Sequence, residues 1–388
     1  MPPSLELRNI GQIQEANLSF GDLTVLVGPQ ASGKSIALQW LKLVLDTGLV
    51  QAQLSQYGLD WGKSVSKFLD LYFGEGMHTV WQEGLSEVLW DHQPWDANKK
   101  ISRKAVSKKE SVFLVPAQRV LTLRDGWPRP FSDFSAGDPF AVRSFSEKLR
   151  LLMEQELGAG DAVFPKSNRL KSEYRKLLEK TIFQQFRLKV DALRSQKRLV
   201  LGQTAGTAPL PYMVWSAGQR EFVPLLLGLY WLMPPAKVSR RNDVQWVIIE
   251  EPEMGMHPRA ITAVLLLVLE LLDRGYRVCI STHVPQVLDL VWVIQKLGRT
   301  QAKPEKLLQV FEAPNTQGLR TVAANALRKE CKVYFFDGDS GQVHDITGLD
   351  PASLDKTESS WGGMLDFSGR ANEAVATAMA NTGTLFPL

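Results

Sequence analysis

The feature that most constrains this chain is a glycine-rich motif near its N-terminus. Residues 28–35 read Gly-Pro-Gln-Ala-Ser-Gly-Lys-Ser and match the pattern G-x-x-x-x-G-K-[ST]. An apolar run at 23–27 precedes the motif, and helical periodicity covers 36–46. A buried strand that runs through a glycine-rich turn into a helix is the context in which this motif binds phosphate. A glycine-rich turn that merely carries a lysine is the alternative, and the flanking strand and helix disfavour it.

The residue types of the motif predict its chemistry. Its glycines allow backbone N–H groups to surround phosphates, and the helix N-terminus adds partial positive charge. We expect Lys34 to reach the β and γ phosphates of ATP and the Ser35 hydroxyl to ligate Mg²⁺. The residues assigned to nucleotide contact here are Gly28, Pro29, Gln30, Ala31, Ser32, Gly33, Lys34, Ser35 and Ile36.

The remaining apolar runs predict an α/β fold. Short β-type runs lie at 112–115, 246–249, 278–281 and 333–336, and helical patterns at 219–233 and 260–273 separate several of them. Strands that alternate with helices predict a mostly parallel sheet that is covered on both faces. Alternating apolar and polar residues before Gly21 predict an N-terminal antiparallel β element.

Composition excludes several classes of protein. With 388 residues, 44% of them hydrophobic and 22% charged, the chain is globular, and it is long enough for one large α/β domain with an insertion or for two domains. A net charge of +4 excludes a histone-like polycation but not a local basic patch. Cys279 and Cys331 cannot supply a disulfide framework or a cysteine zinc site. No secretion signal or membrane-spanning run is visible, so we expect a cytoplasmic protein.

An acidic cluster follows the second apolar run. Residues 244–249 lead into Glu250-Glu251-Pro252-Glu253, and acids at the end of a buried strand lie where open α/β sheets bind ligands. We assign Glu250 to Mg²⁺, a position where phosphate-loop NTPases usually have Asp, and Glu251 to the attacking water. A solvated acidic loop is the alternative reading of these acids.

Two further motifs carry a family resemblance. Trp215-Ser216-Ala217-Gly218-Gln219 resembles the signature motif of ABC-type ATPases, and Ser281-Thr282-His283 resembles their switch histidine. Together with the N-terminal segment and the acidic cluster, they make the chain similar to the OLD, RecF and SMC branch of these ATPases. The resemblance covers about 1–120 and 210–340.

The resemblance implies a dimeric site. In such proteins two heads enclose ATP, so Ser216, Gly218 and Gln219 should contact the nucleotide held by the opposite subunit, as a homodimer or a higher homo-oligomer. His283 should contact the γ-phosphate of its own subunit. Gln118 is the candidate for the glutamine that senses Mg²⁺ and the attacking water, although it could be an ordinary loop residue.

The residues between these motifs differ from the rest. Residues 143–200 are polar and helical in pattern, and 166–198 hold eleven Lys or Arg against three acids. We predict a helical, basic insertion standing off the sheet at 121–210, between ATPase lobes at 1–120 and 211–340, with a tail at 341–388 packing on the core. The charge suits DNA or an acidic partner protein, although a solvated face is equally compatible. A second basic stretch covers 99–109. Asp337-Gly-Asp339 superficially resembles a nuclease motif, but a hairpin turn is the better interpretation.

These features favour a nucleotide-switched ATPase that works without a membrane, and the resemblance implies that it acts in DNA-related or phage-defence processes beside a separately encoded effector. The energy subunit of a transporter and an ATP-binding scaffold with little turnover are the alternatives.

Overall fold

Parallel strands rich in Val, Ile and Leu form the centre of the fold, as the uninterrupted apolar runs predict. The computed structural model describes residues 2–103, 109–157, 162–193, 196–203, 208–234, 240–241 and 243–382. Its strands are β1 Ser4–Ile10, β2 Ile13–Ser19, β3 Leu23–Val27, β4 Glu87–Trp90, β5 Gln93–Pro94, β6 Val112–Val115, β7 Leu123–Arg124, β8 Trp127–Pro128, β9 Ala162–Phe164, β10 Arg187–Leu193, β11 Gln196–Gly202, β12 Leu210–Pro211, β13 Trp246–Glu250, β14 Arg277–Ser281, β15 Cys331–Phe336 and β16 Val343–Asp345.

Helices connect and cover these strands. The α-helices are α1 Lys34–Gln56, α2 Val65–Phe73, α3 Ala97–Ser102, α4 Phe140–Glu156, α5 Ser172–Leu178, α6 Ala217–Leu232, α7 Pro258–Asp273, α8 Pro285–Arg299, α9 Pro304–Val310, α10 Gln317–Ala326, α11 Lys356–Ser359 and α12 Asp366–Thr382. Short 3₁₀ turns lie at Met77–Val80, Arg119–Thr122, Phe131–Asp133 and Tyr212–Val214, and a π-helical turn lies at Glu179–Phe183.

The central sheet determines where the functional motifs meet. Its strand order is β16-β15-β3-β14-β13-β6, and every neighbouring pair is parallel except β15 and β16. The loops after β3, β14, β13 and β6 therefore leave from the same edge of the sheet. This edge is the place where open α/β sheets bind ligands.

Each face of this sheet packs against its own core. Within β13, Val247 and Ile249 belong to one hydrophobic cluster, whereas Trp246 and Ile248 belong to the other. This division follows from the alternation of side chains along a strand. Burial on both faces explains why the strand sequences are apolar throughout. The mostly parallel α/β fold is confirmed.

The antiparallel element at the N-terminus is confirmed as well. Strands β1 and β2 pair over Ser4–Ile10 and Ile13–Ser19, and β4 and β5 extend the sheet to the order β2-β1-β4-β5. Its apolar residues share a cluster with α1 and α2 on one face of the central sheet. The element therefore covers the helix that follows the phosphate loop.

The prediction of a helical insertion standing off the sheet is wrong in two respects. Helices α4 and α5 are present, but Arg187–Leu193 and Gln196–Gly202 pair as the antiparallel hairpin strands β10 and β11 of a sheet with the order β12-β11-β10-β9. Leu188 and Leu199 of this hairpin are fully buried and belong to the same cluster as the central strands. The segment is thus part of the main body. Arg194 of the basic segment and residues 104–108 of the second basic stretch lie outside the described residues.

The tail packs on the core only in part. Ile346, Leu349 and Trp361 are buried in the main cluster, whereas the side chains from Asp366 to Ala378 of α12 are exposed. The Asp337-Gly-Asp339 segment connects the antiparallel strands β15 and β16, so the hairpin interpretation is correct.

Candidate nucleotide-binding site

The backbone of the phosphate loop lies in close contact with two strands, β15 on one side and β2 on the other. Gly28 has a φ of +141°, and a Cβ there would lie 2.3 Å from the carbonyl oxygen of Phe336 at the end of β15. Gly33 has a φ of +100°, and a Cβ there would lie 2.6 Å from Cγ1 of Ile13. Both positions therefore require glycine, because any side chain would displace the loop.

The loop holds its lysine under the phosphate-binding turn. The Lys34 ammonium donates to the carbonyls of Gly28 at 2.9 Å and Pro29 at 2.5 Å, and lies 3.2 Å from the Ser32 hydroxyl. Burial lowers the pKa of Lys34 to about 8, although Glu251 and Glu253 oppose this shift. Lys34 is therefore still mainly cationic at neutral pH and is available to an anionic phosphate.

Glu250 ends strand β13, which β14 separates from β3, as a buried carboxylate. Its side chain is only 1% exposed, Oε2 accepts a hydrogen bond from the Ala117 N–H at 3.0 Å, and Oε1 is buried without a hydrogen-bond partner among the described residues. Burial raises the pKa of Glu250 to about 7, and the Ala117 N–H and the Ser35 hydroxyl counteract part of this rise. The site thus offers a buried oxygen ligand close to Ser35.

These donors fit a divalent cation. Mg²⁺ prefers hard oxygen ligands, and the unpartnered Glu250 oxygen beside a serine hydroxyl meets that preference. Ser35 and Glu250 are therefore the residues that would hold it. Gln118 is exposed, and it follows Ala117, whose N–H donates to Glu250. The assignment of Gln118 to Mg²⁺ and the attacking water stays a prediction.

Glu251 and His283 meet the phosphate loop in one open pocket of about 260 Å³, which Gln12 also lines. Nε2 of His283 lies 3.4 Å from Oε1 of Glu251, and both side chains are about one quarter exposed. The two residues follow strands β13 and β14, which are adjacent in the sheet. A carboxylate and an imidazole at this distance can orient a water molecule and share its proton.

Glu253 holds this pair in place, and sequence reasoning gave it no role. Its Oε1 accepts hydrogen bonds from the Thr282 hydroxyl at 2.8 Å and from the His283 N–H at 2.7 Å. The side chain is 8% exposed, and its Oε2 has no hydrogen-bond partner among the described residues. Glu253 therefore fixes the loop that carries His283 to the loop that carries Glu251.

The signature residues lie outside this pocket. Ser216 caps α6: its hydroxyl accepts from the Gln219 N–H at 3.3 Å, and Oε1 of Gln219 accepts from the Ser216 N–H at 3.1 Å. Ser216 is exposed, and Gly218 contacts the loop after the acidic cluster, where a Cβ would lie 3.0 Å from the Gly255 carbonyl oxygen. The structure of this chain thus brings the phosphate loop together with Glu250, Glu251 and His283, but not with the signature.

His257 follows the acidic cluster and has a structural role at the start of α7. It caps α7 by accepting from the Arg259 N–H at 3.2 Å.

The fold and this edge of the sheet define an ATPase-like nucleotide-binding domain of the phosphate-loop class. Residues 91–289, just over half of the chain, match the family described as "AAA domain, putative AbiEii toxin, Type IV TA system". The chain belongs to this family of AAA-type phosphate-loop ATPases. The match contains the signature, acidic and histidine motifs and begins after the phosphate loop.

Several solved structures are similar to the chain at low sequence identity. An SMC head bound to the C-terminal winged-helix domain of ScpA has a TM-score of 0.40 at 12% identity and covers 91% of this chain and 98% of that one. The SMC head domain from Thermotoga maritima has a TM-score of 0.32 at 12% identity, covering 74% and 92%. A dimeric bacterial ABC transporter cassette has a TM-score of 0.33 at 12% identity, covering 88% and 96%.

A search of curated proteins finds no match to the chain. In the part of the chain that the structure describes, no helix has both the length and the apolar character needed to cross a membrane.

Proposed function

We propose that this chain binds and hydrolyses MgATP as an ABC-type head of the OLD, RecF and SMC branch, and that two copies close around the nucleotide. The observation that carries the proposal is the pocket that gathers Lys34, Glu251 and His283 beside the phosphate loop. The phosphate loop, Glu251 and His283 follow β3, β13 and β14, which are three adjacent strands of one sheet. This arrangement suits a displacement at the γ-phosphate.

The chain's own residues have distinct tasks in this reaction. Lys34 and the loop N–H groups bind the phosphates, and Glu251 orients the attacking water and takes its proton. His283 orients Glu251 and the γ-phosphate. Ser35 and Glu250 would hold Mg²⁺, which neutralises developing charge when bound.

The position of the signature supports the dimer. Ser216 is exposed at the start of the sixteen-residue helix α6, and neither it nor Gly218 lines the pocket of its own subunit. A γ-phosphate would meet this helix N-terminus when a second copy presents it. ADP lacks that phosphate, so hydrolysis would loosen the contact and make it a switch.

Mixing two inactive variants tests the proposal. Lys34→Ala removes the phosphate-binding ammonium, and Ser216→Arg blocks the signature, so each homodimer should be inactive. The mixed dimer contains one site with both defects and one site with neither. Part of the ATPase activity should therefore return on mixing, while Lys34→Ala alone should abolish ATP binding by calorimetry. No recovery despite demonstrated subunit exchange, or full turnover by a strict monomer, would refute the sandwich.

We further propose that the switch acts on DNA, in repair or phage defence, beside a separately encoded effector. Arg169, Lys171 and Arg198 of the basic segment are engaged in ion pairs. Among the described residues of the segment, the exposed cations are Lys176, Lys180, Arg187, Lys189 and Lys197. They support weak, salt-dependent binding to a phosphate backbone. The family description names a toxin–antitoxin system, which supports a second protein component.

A further inference from the structure

A buried arginine joins the acidic loop to the signature helix. Arg119 has a fully buried side chain, although its guanidinium stays charged in proteins. Its Nη1 donates to the carbonyl of Glu250 at 3.0 Å, Nη2 to the carbonyl of Glu251 at 3.1 Å, and Nε to the carbonyl of Glu221 at 3.1 Å. Glu221 lies in the second turn of α6, five residues after Ser216. One planar group thus connects the end of β13 to the signature helix.

Such a contact is costly unless its surroundings compensate it. Removing a guanidinium from water costs several kcal/mol in the absence of partners. Here three carbonyls accept its protons, and the carboxylate of Glu221 lies 3.5 Å from Nε. The fixed fork of the guanidinium transmits orientation between the groups that it binds, because its donors cannot move independently.

A second contact joins the same two elements. Gly255 follows the acidic cluster with a φ of +67°, and a Cβ there would lie 3.3 Å from Cγ of Glu221 and 3.4 Å from the Ala217 carbonyl carbon. The loop after Glu251 therefore lies directly on the first turn of the signature helix. Neither element can shift far without the other.

We propose that Arg119 is a positioning residue that makes the Glu251 loop and the signature helix of one subunit move as a single unit. The inference rests on the proposed dimer, in which the Glu251 of a subunit serves one ATP site and its signature closes the other. Arg119 then couples the two sites. Hydrolysis at one site alters the signature contact at the other through this side chain.

The mixed dimer of Lys34→Ala and Ser216→Arg subunits provides the test, because it has a single intact site. The Ser216→Arg subunit supplies the phosphate loop and Glu251 of that site, and the Lys34→Ala subunit supplies its signature. Arg119→Gln is placed in one subunit or the other. Coupling predicts a loss of turnover from both placements, on the order of tenfold or more, since small misplacements of catalytic groups have large effects. ATP affinity should be retained.

The other outcomes overturn the inference. A loss confined to the subunit that supplies Glu251 would mean that Arg119 holds only the acidic loop, and a loss confined to the other subunit would mean that it holds only the signature. If Arg119→Gln lowers turnover in neither placement, Arg119 has no positioning role at either element. If the mixed dimer without an Arg119 substitution shows no activity, the proposed function fails, and the coupling is not the cause.

Matched variants separate positioning from folding. Arg143 is also a buried arginine, which donates to the Leu71 carbonyl and lies over the Phe131 ring. Arg143→Met should lower the melting temperature without changing turnover per folded dimer from either placement. If Arg119→Gln does not fold, Arg119→Lys is tested in the same mixed dimers. Lysine keeps the positive charge but lacks the forked donors of the guanidinium. A lysine variant with unaltered turnover from both placements would also overturn the inference.

Discussion

Replacing Glu253 by glutamine should slow hydrolysis while leaving nucleotide binding largely intact. Glu253 accepts from the Thr282 hydroxyl and the His283 N–H through Oε1, and its Oε2 has no hydrogen-bond partner among the described residues. Glutamine keeps the size and one acceptor oxygen but removes the charge. The perturbation therefore weakens the support of His283 without emptying the space around it.

The expected magnitude follows from the two hydrogen bonds. A hydrogen bond to a charged group contributes about 1.5–3 kcal/mol, and a neutral one about 0.5–1.5 kcal/mol. Replacing the charged acceptor by a neutral one therefore weakens the two hydrogen bonds by about 2 kcal/mol in total. If this loss appears as misplacement of His283 in the transition state, it corresponds to a decrease in kcat of about thirtyfold. Glu253 also raises the pKa of Lys34, so the alkaline limit of ATP binding should move to lower pH in the variant.

Steady-state phosphate release and calorimetric ATP binding between pH 6 and 9 measure these effects. The matched control is Glu270, another buried carboxylate, which accepts from the Tyr174 hydroxyl and the Lys171 ammonium at 2.7 Å each. Glu270→Gln should cost comparable stability without a change in kcat. If Glu253→Gln turns over at the wild-type rate, or if Glu270→Gln slows turnover equally, the reasoning on Glu253 is wrong.

Three further predictions concern the site, the basic surface and the fold. Glu251→Gln should reduce turnover about 10²- to 10⁴-fold and trap bound MgATP, as filter binding would show; an unchanged rate would place the base elsewhere. Replacing Arg187 and Lys189 by Gln should weaken DNA binding and lower its salt dependence in titrations at several salt concentrations; wild-type protein that binds no DNA at low salt would exclude a nucleic-acid role. Burial raises the pKa of Glu110, but Lys148 and Lys42 outweigh burial and lower it, so this carboxylate stabilises the fold above its unfolded pKa and loses that effect as pH falls. Glu110→Gln should therefore reduce the free energy of unfolding at pH 7 by about 3 kcal/mol and flatten its decline in acid, as urea titrations would measure.

The parts of the fold that sequence predicts are those with local signals. The phosphate loop has its pattern, and runs such as 246–249 are apolar enough to identify buried strands. The hairpin β10–β11 was mistaken for helix because its many cations dominate the composition. Leu188 and Val190 point into the core while Arg187 and Lys189 are exposed, which is the period of two expected of a strand.

The residues that sequence reasoning missed act on distant backbone atoms. Arg119 binds the carbonyls of Glu221, Glu250 and Glu251, and Glu253 binds the N–H of His283. A carbonyl or an N–H is the same in every residue, so the partner's identity leaves no trace in the sequence. Only the strand order, which brings these loops to one edge, reveals the contacts.

These backbone contacts explain how Glu251 can hold an unfavourable conformation. Its φ is +43°, a value that costs a non-glycine residue of the order of 1–3 kcal/mol and persists only where surrounding contacts enforce it. Its N–H donates to the Ser281 carbonyl at 2.9 Å, and its carbonyl accepts from Arg119 at 3.1 Å. Both peptide groups that flank this carboxylate are thus fixed, one by the strand that leads to His283 and the other by the arginine that reaches the signature helix. The backbone strain is located where the proposed reaction requires a carboxylate with little freedom to move.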